Sequence, residues 1–283
     1  MVSLIRTASA AVLLFFAIPM LSRPPAAHEA RQSLFLQSAA DILKRDFTSP
    51  GTSYLLLDAN SGDLLARNWE DYDRPIPLGS LVKPFTALAY ADSHEFRYPI
   101  YECQGKSTGC WQDQPHGKLD LSAAISVSCN SYFRRMAEGV SLERISSVAR
   151  SFSLEAPDSD STSANLIGLG QQWRISPIHM ARGYLELYRR KDQPGVAPIL
   201  EGMRRAALRG TGAAVDRQLN HSAALVKTGT ATCTHTPREP TDGFVLALVP
   251  ANQPEILLLL RVHGVAGAKA AESAGRALRQ MQE

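Results

Sequence analysis

Three short strings, far apart along the chain, can share chemistry only in a fold that brings them to one cleft. They are Ser80-Leu81-Val82-Lys83, Ser128-Cys129-Asn130 and Lys227-Thr228-Gly229-Thr230, read in order as S-x-x-K, S-x-N and K-T-G. Each alone is a weak signal, because such strings recur by chance. Together, in this order, they ask for a helix opening at the first, a bend at the second and a strand at the third.

The local patterns supply those elements. Leu36, Ala39, Ala40, Leu43 and Phe47 recur at helical spacing, and Ser49-Pro50-Gly51 ends that helix. Tyr54 to Asp58 reads as a strand, Asn60-Ser61-Gly62 as a turn, and Leu64 to Arg67 as the returning strand. A helix followed by a hairpin argues for α+β rather than a run of βαβ units. A helix is predicted from Ser80 to about Ser93, with Pro84 in its first turn, where a missing N–H costs little. Tyr101 to Leu119 reads as loop. Helices are predicted over Leu121 to Met136, with S-x-N at a bend, over Leu142 to Phe152, and over Ile178 to Arg189. Ala156 to Ala164 reads as a polar loop, and Arg209 to Val215 as a turn. Three strands follow, over Ala223 to Thr230, Gly243 to Val249 and Glu255 to Val262, before a helix running to about Met281. The expected fold is therefore α+β in three αβα layers, a five-stranded antiparallel sheet with helices on both faces.

The chain has 283 residues, 45% of them hydrophobic and 20% charged, enough for a sizeable core. Its net charge of +3 is too small to point to nucleic acid. Arg6, an apolar run from Ala8 to Leu21, and Arg23-Pro24-Pro25-Ala26-Ala27 read as a secretory signal or a membrane anchor over residues 1–27. The uncharged run from Thr7 to Ser22 is short for a span, which needs ~20 residues. Both versions place the folded part outside the cytoplasm, periplasmic, secreted or anchored by its N-terminus. Residues 28–50 read as linker and helix, and 51–283 as the main domain.

Export makes the four cysteines informative. Cys103 and Cys110 lie in one Gly/Ser/Thr-containing loop and form a candidate disulfide. Cys129 and Cys233 are a second pair that a shared cleft could bring together. No Cys/His spacing has the form of a zinc site, so no metal or other cofactor is expected. His116, His179, His221, His235 and His263 read as ordinary surface or core histidines.

A serine hydroxyl is a poor nucleophile until a base takes its proton. Positions i and i+3 share a helix face, so Lys83 can point at Ser80. Burial and a second cation, Lys227, would lower the Lys83 pKa and make it a base. Ser128 can relay a proton to a leaving amine, and Asn130 can hold a substrate amide or orient Lys83. Thr228 and Thr230 offer hydroxyls to a substrate carboxylate, and Gly229 lets a substrate backbone approach. The amides of Ser80 and Thr230 are the natural oxyanion donors. Taken singly, each of these residues could equally be a surface lysine, a capping serine or a loop asparagine.

With these residues in place, the chain resembles the penicillin-binding protein transpeptidase family, the serine DD-peptidases. Pro77-Leu78-Gly79-Ser80-Leu81-Val82-Lys83-Pro84-Phe85 is similar to the family's nucleophile helix. His116-Gly117-Lys118-Leu119-Asp120-Leu121 and Ala124 to Phe133 resemble its second-motif segment. Ile167-Gly168-Leu169-Gly170-Gln171 with Ser176-Pro177, and Gly210-Thr211-Gly212, resemble the helix after the active-site loop and the approach to K-T-G. The resemblance runs from about Gly51 to the C-terminus. It implies an acyl-enzyme on Ser80, formed with β-lactams or with the D-Ala-D-Ala end of a peptidoglycan stem peptide. It also implies no cofactor. About 50 residues precede the first strand, too few for the large N-terminal domains of synthetic members. This leaves open a carboxypeptidase, a transpeptidase that depends on a protein partner for those domains, or a penicillin-binding protein with little turnover.

Two other readings stay open. A serine β-lactamase shares fold and motifs, but Glu155-Ala156-Pro157-Asp158-Ser159 does not match that class's E-x-x-L-N loop. A sensor or binding module would keep the pocket without turnover.

Overall fold

The computed structural model describes residues 25–220, 222–235 and 240–283. The expected signal or anchor lies almost wholly outside them. Among the described residues no helix is long and apolar enough to cross a membrane. The chain divides into a first unit that ends at Phe35 and a compact unit from Leu36 to Glu283.

Helix α1 (Pro25–Asp46) buries Ala39, Ala40 and Leu43, the positions of the helical repeat. It starts earlier than the sequence pattern suggests. Strands β1 (Thr52–Asp58) and β2 (Leu64–Arg67) form the hairpin. Asp58 Oδ1 accepts from the Asn60 N–H at 2.7 Å and closes the turn between them. The short strand β3 (Ile76–Pro77) and a 3₁₀ turn (Gly79–Val82) lead into α2 (Lys83–Asp92).

The stretch read as loop contains β4 (Tyr101–Cys103) and β5 (Gly117–Leu119), paired antiparallel. Strands of three residues are too short to show a period, so sequence cannot reveal them. The single helix expected over Leu121 to Met136 is two, α3 (Leu121–Ser126) and α4 (Asn130–Ala137), with S-x-N at the break. Asp120 Oδ1 caps α3 by accepting from the Ala123 N–H at 2.7 Å. Ser141 Oγ caps α5 (Leu142–Ser151) in the same way.

The two-residue strand β6 (Arg174–Ile175) pairs with β3, and α6 (Pro177–Arg189) follows. Helix α7 (Ala197–Arg209) was not anticipated, although Ile199, Met203, Ala206 and Ala207 are buried at helical spacing. It packs on α3 and on the sheet, and the short α8 (Ala213–Asp216) succeeds it.

Strands β7 (Leu225–Thr232), β8 (Thr241–Val249) and β9 (Ile256–His263) complete a five-stranded sheet in the order β2-β1-β9-β8-β7, antiparallel throughout. Helix α9 (Gly267–Gln280) closes the chain. Leu55, Leu57, Phe244, Leu246, Leu257 and Leu259 belong to the main core with Phe85, Tyr184 and Met203. The alternate residues Leu56, Val245, Ala247, Leu258 and Leu260 are equally buried, on the sheet that α9 covers with Ala270, Ala274 and Ala277. Burial on both faces explains why these strands are unbroken apolar runs rather than alternating ones.

Candidate active site

The K-T-G strand β7 is one of the sheet's two edge strands, and the turn carrying Ser80 packs on it. Two glycines make that contact close. Gly79 has φ +58°, and a Cβ there would lie 2.2 Å from the Thr230 carbonyl oxygen. A Cβ on Gly229 would lie 2.5 Å from the Leu78 carbonyl oxygen. The missing side chain of Gly229 thus admits the nucleophile turn, where the sequence reading assigned the space to substrate. The contact sets the backbones of Ser80 and Thr230 side by side.

Ser80 lies one step outside the helix expected to start with it. Its carbonyl accepts from the Lys83 N–H, and α2 proper begins at Lys83. Lys83, read from sequence as able to point at Ser80, makes no hydrogen bond to it through its side chain, and among the described residues Ser80 Oγ has no hydrogen-bond partner. Lys83 is instead held by the second motif. Its Nζ donates to the Ser128 carbonyl at 2.8 Å and to Asn130 Oδ1 at 2.6 Å.

Ser128 stands between α3 and α4 with φ +51°, a conformation non-glycine residues seldom adopt. Its N–H bonds to the Ile125 carbonyl at 3.1 Å. This bend directs the Ser128 hydroxyl between two lysines. Lys227 Nζ donates to Ser128 Oγ at 2.9 Å and to the Thr228 carbonyl at 2.7 Å, and Lys83 Nζ is 3.4 Å from the same hydroxyl. Both lysines are fully buried. Burial lowers the Lys83 pKa to about 7. Burial, and then the charge of Lys83, hold Lys227 well below the ordinary lysine value. Two buried ammonium groups sharing one hydroxyl disfavour the doubly charged state, so the pair gives up a proton more readily than exposed lysines do.

The two threonines of the third motif differ. Thr230 is exposed, and its Oγ1 accepts from the Gly267 N–H at 2.9 Å. Thr228 is 4% exposed and donates to Thr211 Oγ1 at 2.6 Å. Thr211, read from sequence only as a turn residue, is therefore part of this cluster.

The cysteines depart from expectation. Neither the Cys103–Cys110 nor the Cys129–Cys233 disulfide is present, and all four are free thiols. The β4–β5 hairpin and the start of α4 gather Cys103, Cys110, His116 and Cys129, with their donor atoms within 4.8 Å of one another. Cys103 Sγ and Cys110 Sγ are each 3.5 Å from His116 Nδ1, and Cys110 Sγ is 3.8 Å from Cys129 Sγ. Tetrahedral zinc has bonds of about 2.3 Å to sulfur and about 2.0–2.1 Å to nitrogen, which puts S–S edges at ~3.8 Å and S–N edges at ~3.6 Å. The expectation that no cysteine and histidine set could hold a metal is corrected here. Pairwise spacing along the sequence does not show four donors assembled from three elements.

Comparison with known proteins places these features. The family described as penicillin binding protein transpeptidase domain matches residues 52–282. Among solved structures, Pseudomonas aeruginosa PBP2 is 18% identical with TM-score 0.70, over 88% of this chain and 73% of that one. The transpeptidase domain of Burkholderia pseudomallei penicillin-binding protein 3 is 15% identical with TM-score 0.67, over 89% and 92%. Helicobacter pylori PBP2, solved in complex with MreC, is 16% identical with TM-score 0.68, over 88% and 61%. At these identities the likeness shows the fold. No curated protein matches the chain. On the match over residues 52–282, the chain belongs to the penicillin-binding protein transpeptidase domain family.

Proposed function

We propose that the chain is a penicillin-binding serine acyltransferase of peptidoglycan, with Ser80 as nucleophile, Lys83 as base and D-Ala-D-Ala stem-peptide ends as substrate. The observation that carries this reading is the convergence of three sequence motifs on one buried proton network, in which Ser128 Oγ meets both Lys83 and Lys227. Neutral Lys83 takes the proton as Ser80 Oγ bonds to the carbonyl carbon. The amides of Ser80 and Thr230 receive the oxyanion. The C–N bond then breaks, and the departing amine gains a proton through Ser128. An amine of a second stem peptide, or water, resolves the ester. Transpeptidation requires the amine and carboxypeptidation requires water.

Lys227, Thr228 and Thr230 line the carboxylate side of this site, with Thr230 the exposed hydroxyl. The N-terminal 27 residues direct the domain out of the cytoplasm, so alkaline phosphatase fused after Glu283 should be active; an inactive fusion on a well-expressed protein would count against export. The Helicobacter pylori neighbour was solved with MreC, which favours a protein partner here also. Incubation with fluorescent penicillin should label the parent protein and not Ser80→Ala. Equal labelling of both would refute the nucleophile assignment.

A further inference from the structure

Beyond Thr230 the K-T-G strand ends at a second cluster of donor atoms. Cys233 and His235 follow β7, Asp242 lies near the start of β8 and His263 ends β9, where it is the register partner of Asp242. The donor atoms of all four lie within 4.8 Å of one another. Cys233 Sγ is 3.8 Å from His235 Nε2. That nitrogen is 3.3 Å from His263 Nε2. His263 Nδ1 is 2.6 Å from Asp242 Oδ1, and Asp242 is 2% exposed.

We infer that this cluster is a zinc site with Cys233, His235 and His263 as ligands and Asp242 as the group that orients His263. The distances match. Zinc bonds of about 2.0–2.1 Å to nitrogen and about 2.3 Å to sulfur give tetrahedral N–N edges of ~3.3 Å and N–S edges of ~3.6 Å. The observed separations are 3.3 Å and 3.8 Å. A carboxylate on Nδ1 fixes the tautomer of a ligating histidine and turns Nε2 toward the metal. Asp242 does this to His263.

The charges also match. A thiolate and a carboxylate neutralise a divalent cation, which suits an aspartate with almost no access to water. Thiolate with imidazole is a donor set zinc favours over calcium or magnesium. Arg261, a guanidinium near the cluster, donates to Ser53 Oγ at 2.7 Å and stacks 4.2 Å from the centre of the Trp69 ring. Three protein ligands leave a fourth position for water. His235 and His263 both line a cavity of about 920 Å³ with Trp69, Asp71, Arg74 and Arg261.

The ion would tie the end of β7 to β8 and β9, three residues beyond Thr230. The site shares no residue with the Cys103, Cys110, His116 and Cys129 cluster.

The test uses the full chain, stripped by a chelator and titrated with Zn²⁺ and separately with Co²⁺. Cys233→Ser and His235→Ala should each bind one equivalent of zinc fewer than the parent, whatever the other cluster holds. Cys233→Ser should also remove the contribution of one sulfur to the cobalt–thiolate charge-transfer band. Asp242→Asn should weaken zinc binding at this site by about 10–100-fold. Cys110→Ser should leave the zinc lost through Cys233→Ser unchanged. Cys233 and His235 are not core residues, so circular dichroism should show both variants folded. Zinc content equal to the parent in both folded variants, or a cobalt spectrum that Cys233→Ser does not alter, would overturn the assignment. Penicillin labelling of Ser80 has no part in this test, so its outcome stands apart from the reading of the active site.

Discussion

Ser128 Oγ is the atom on which the proposed mechanism turns, because it is the shared partner of two buried lysines. Lys83 has a pKa lowered to about 7 by burial, so below that pH it is protonated and cannot accept the Ser80 proton. The acylation rate should therefore rise with pH and level off above about 7, falling about tenfold per pH unit on the acid side. A rate independent of pH across that range, measured with a labelled penicillin, would remove Lys83 as the base. Lys83→Ala should abolish acylation. Lys227→Ala should weaken capture of carboxylate-bearing ligands and move the rise in rate to higher pH, since the charge of Lys83 and that of Lys227 are coupled. The residues of this network were legible in sequence because the three motifs are local strings. Their hydrogen bonds were not. The i, i+3 argument points Lys83 at Ser80, but the buried acceptors Ser128 O and Asn130 Oδ1 take its protons.

At the scale of elements, the site depends on a 3₁₀ turn pressed against an edge strand. Gly79 combines a positive φ with a carbonyl oxygen where its Cβ would be. A non-glycine residue in that conformation costs about 1–2 kcal/mol, and the overlap with Thr230 adds to it, because no rotamer moves a Cβ. Gly79→Ala should lower the melting temperature and slow penicillin labelling together. An unchanged melting temperature would mean that the turn does not need the close contact. The sheet and most helices were readable because apolar runs and helical repeats span enough residues to show a period. β4 and β5 were not, at three residues each. α7 carried its signal in Ile199, Met203 and Ala206, and was missed beside the Gly210-Thr211-Gly212 turn.

For the whole molecule the question is how fast the acyl-enzyme is resolved. Glu155, the glutamate in the stretch where one β-lactamase class keeps its deacylating glutamate, is tied elsewhere. Its Oε1 is 2.9 Å from His179 Nδ1, and its carbonyl accepts from Trp173 Nε1 at 2.8 Å. Without a positioned base, each missing factor of ten in rate corresponds to about 1.4 kcal/mol of barrier, so the penicilloyl adduct should last on the order of minutes to hours. Intact-mass spectrometry after removal of excess penicillin would follow its decay. Loss within seconds, with many turnovers of a chromogenic cephalosporin, would make the protein a β-lactamase.

By itself the sequence determined the α+β class, the five-stranded sheet and the three motif strings proposed to share a cleft. Those depend on periodicity and on short strings. Only the tertiary structure decided which polar atoms meet. Cys103 and Cys110, close in sequence, read as a pair, but the hairpin of β4 and β5 delivers them with His116 to Cys129, which caps α4. Cys233, His235, Asp242 and His263 come together because β7, β8 and β9 end at the same level of the sheet. Gly229 proved to be spacing for the nucleophile turn, and Thr211 a partner of Thr228. Such contacts arise between segments whose separation along the chain is unrelated to their separation in space, and no local pattern of residues records that distance.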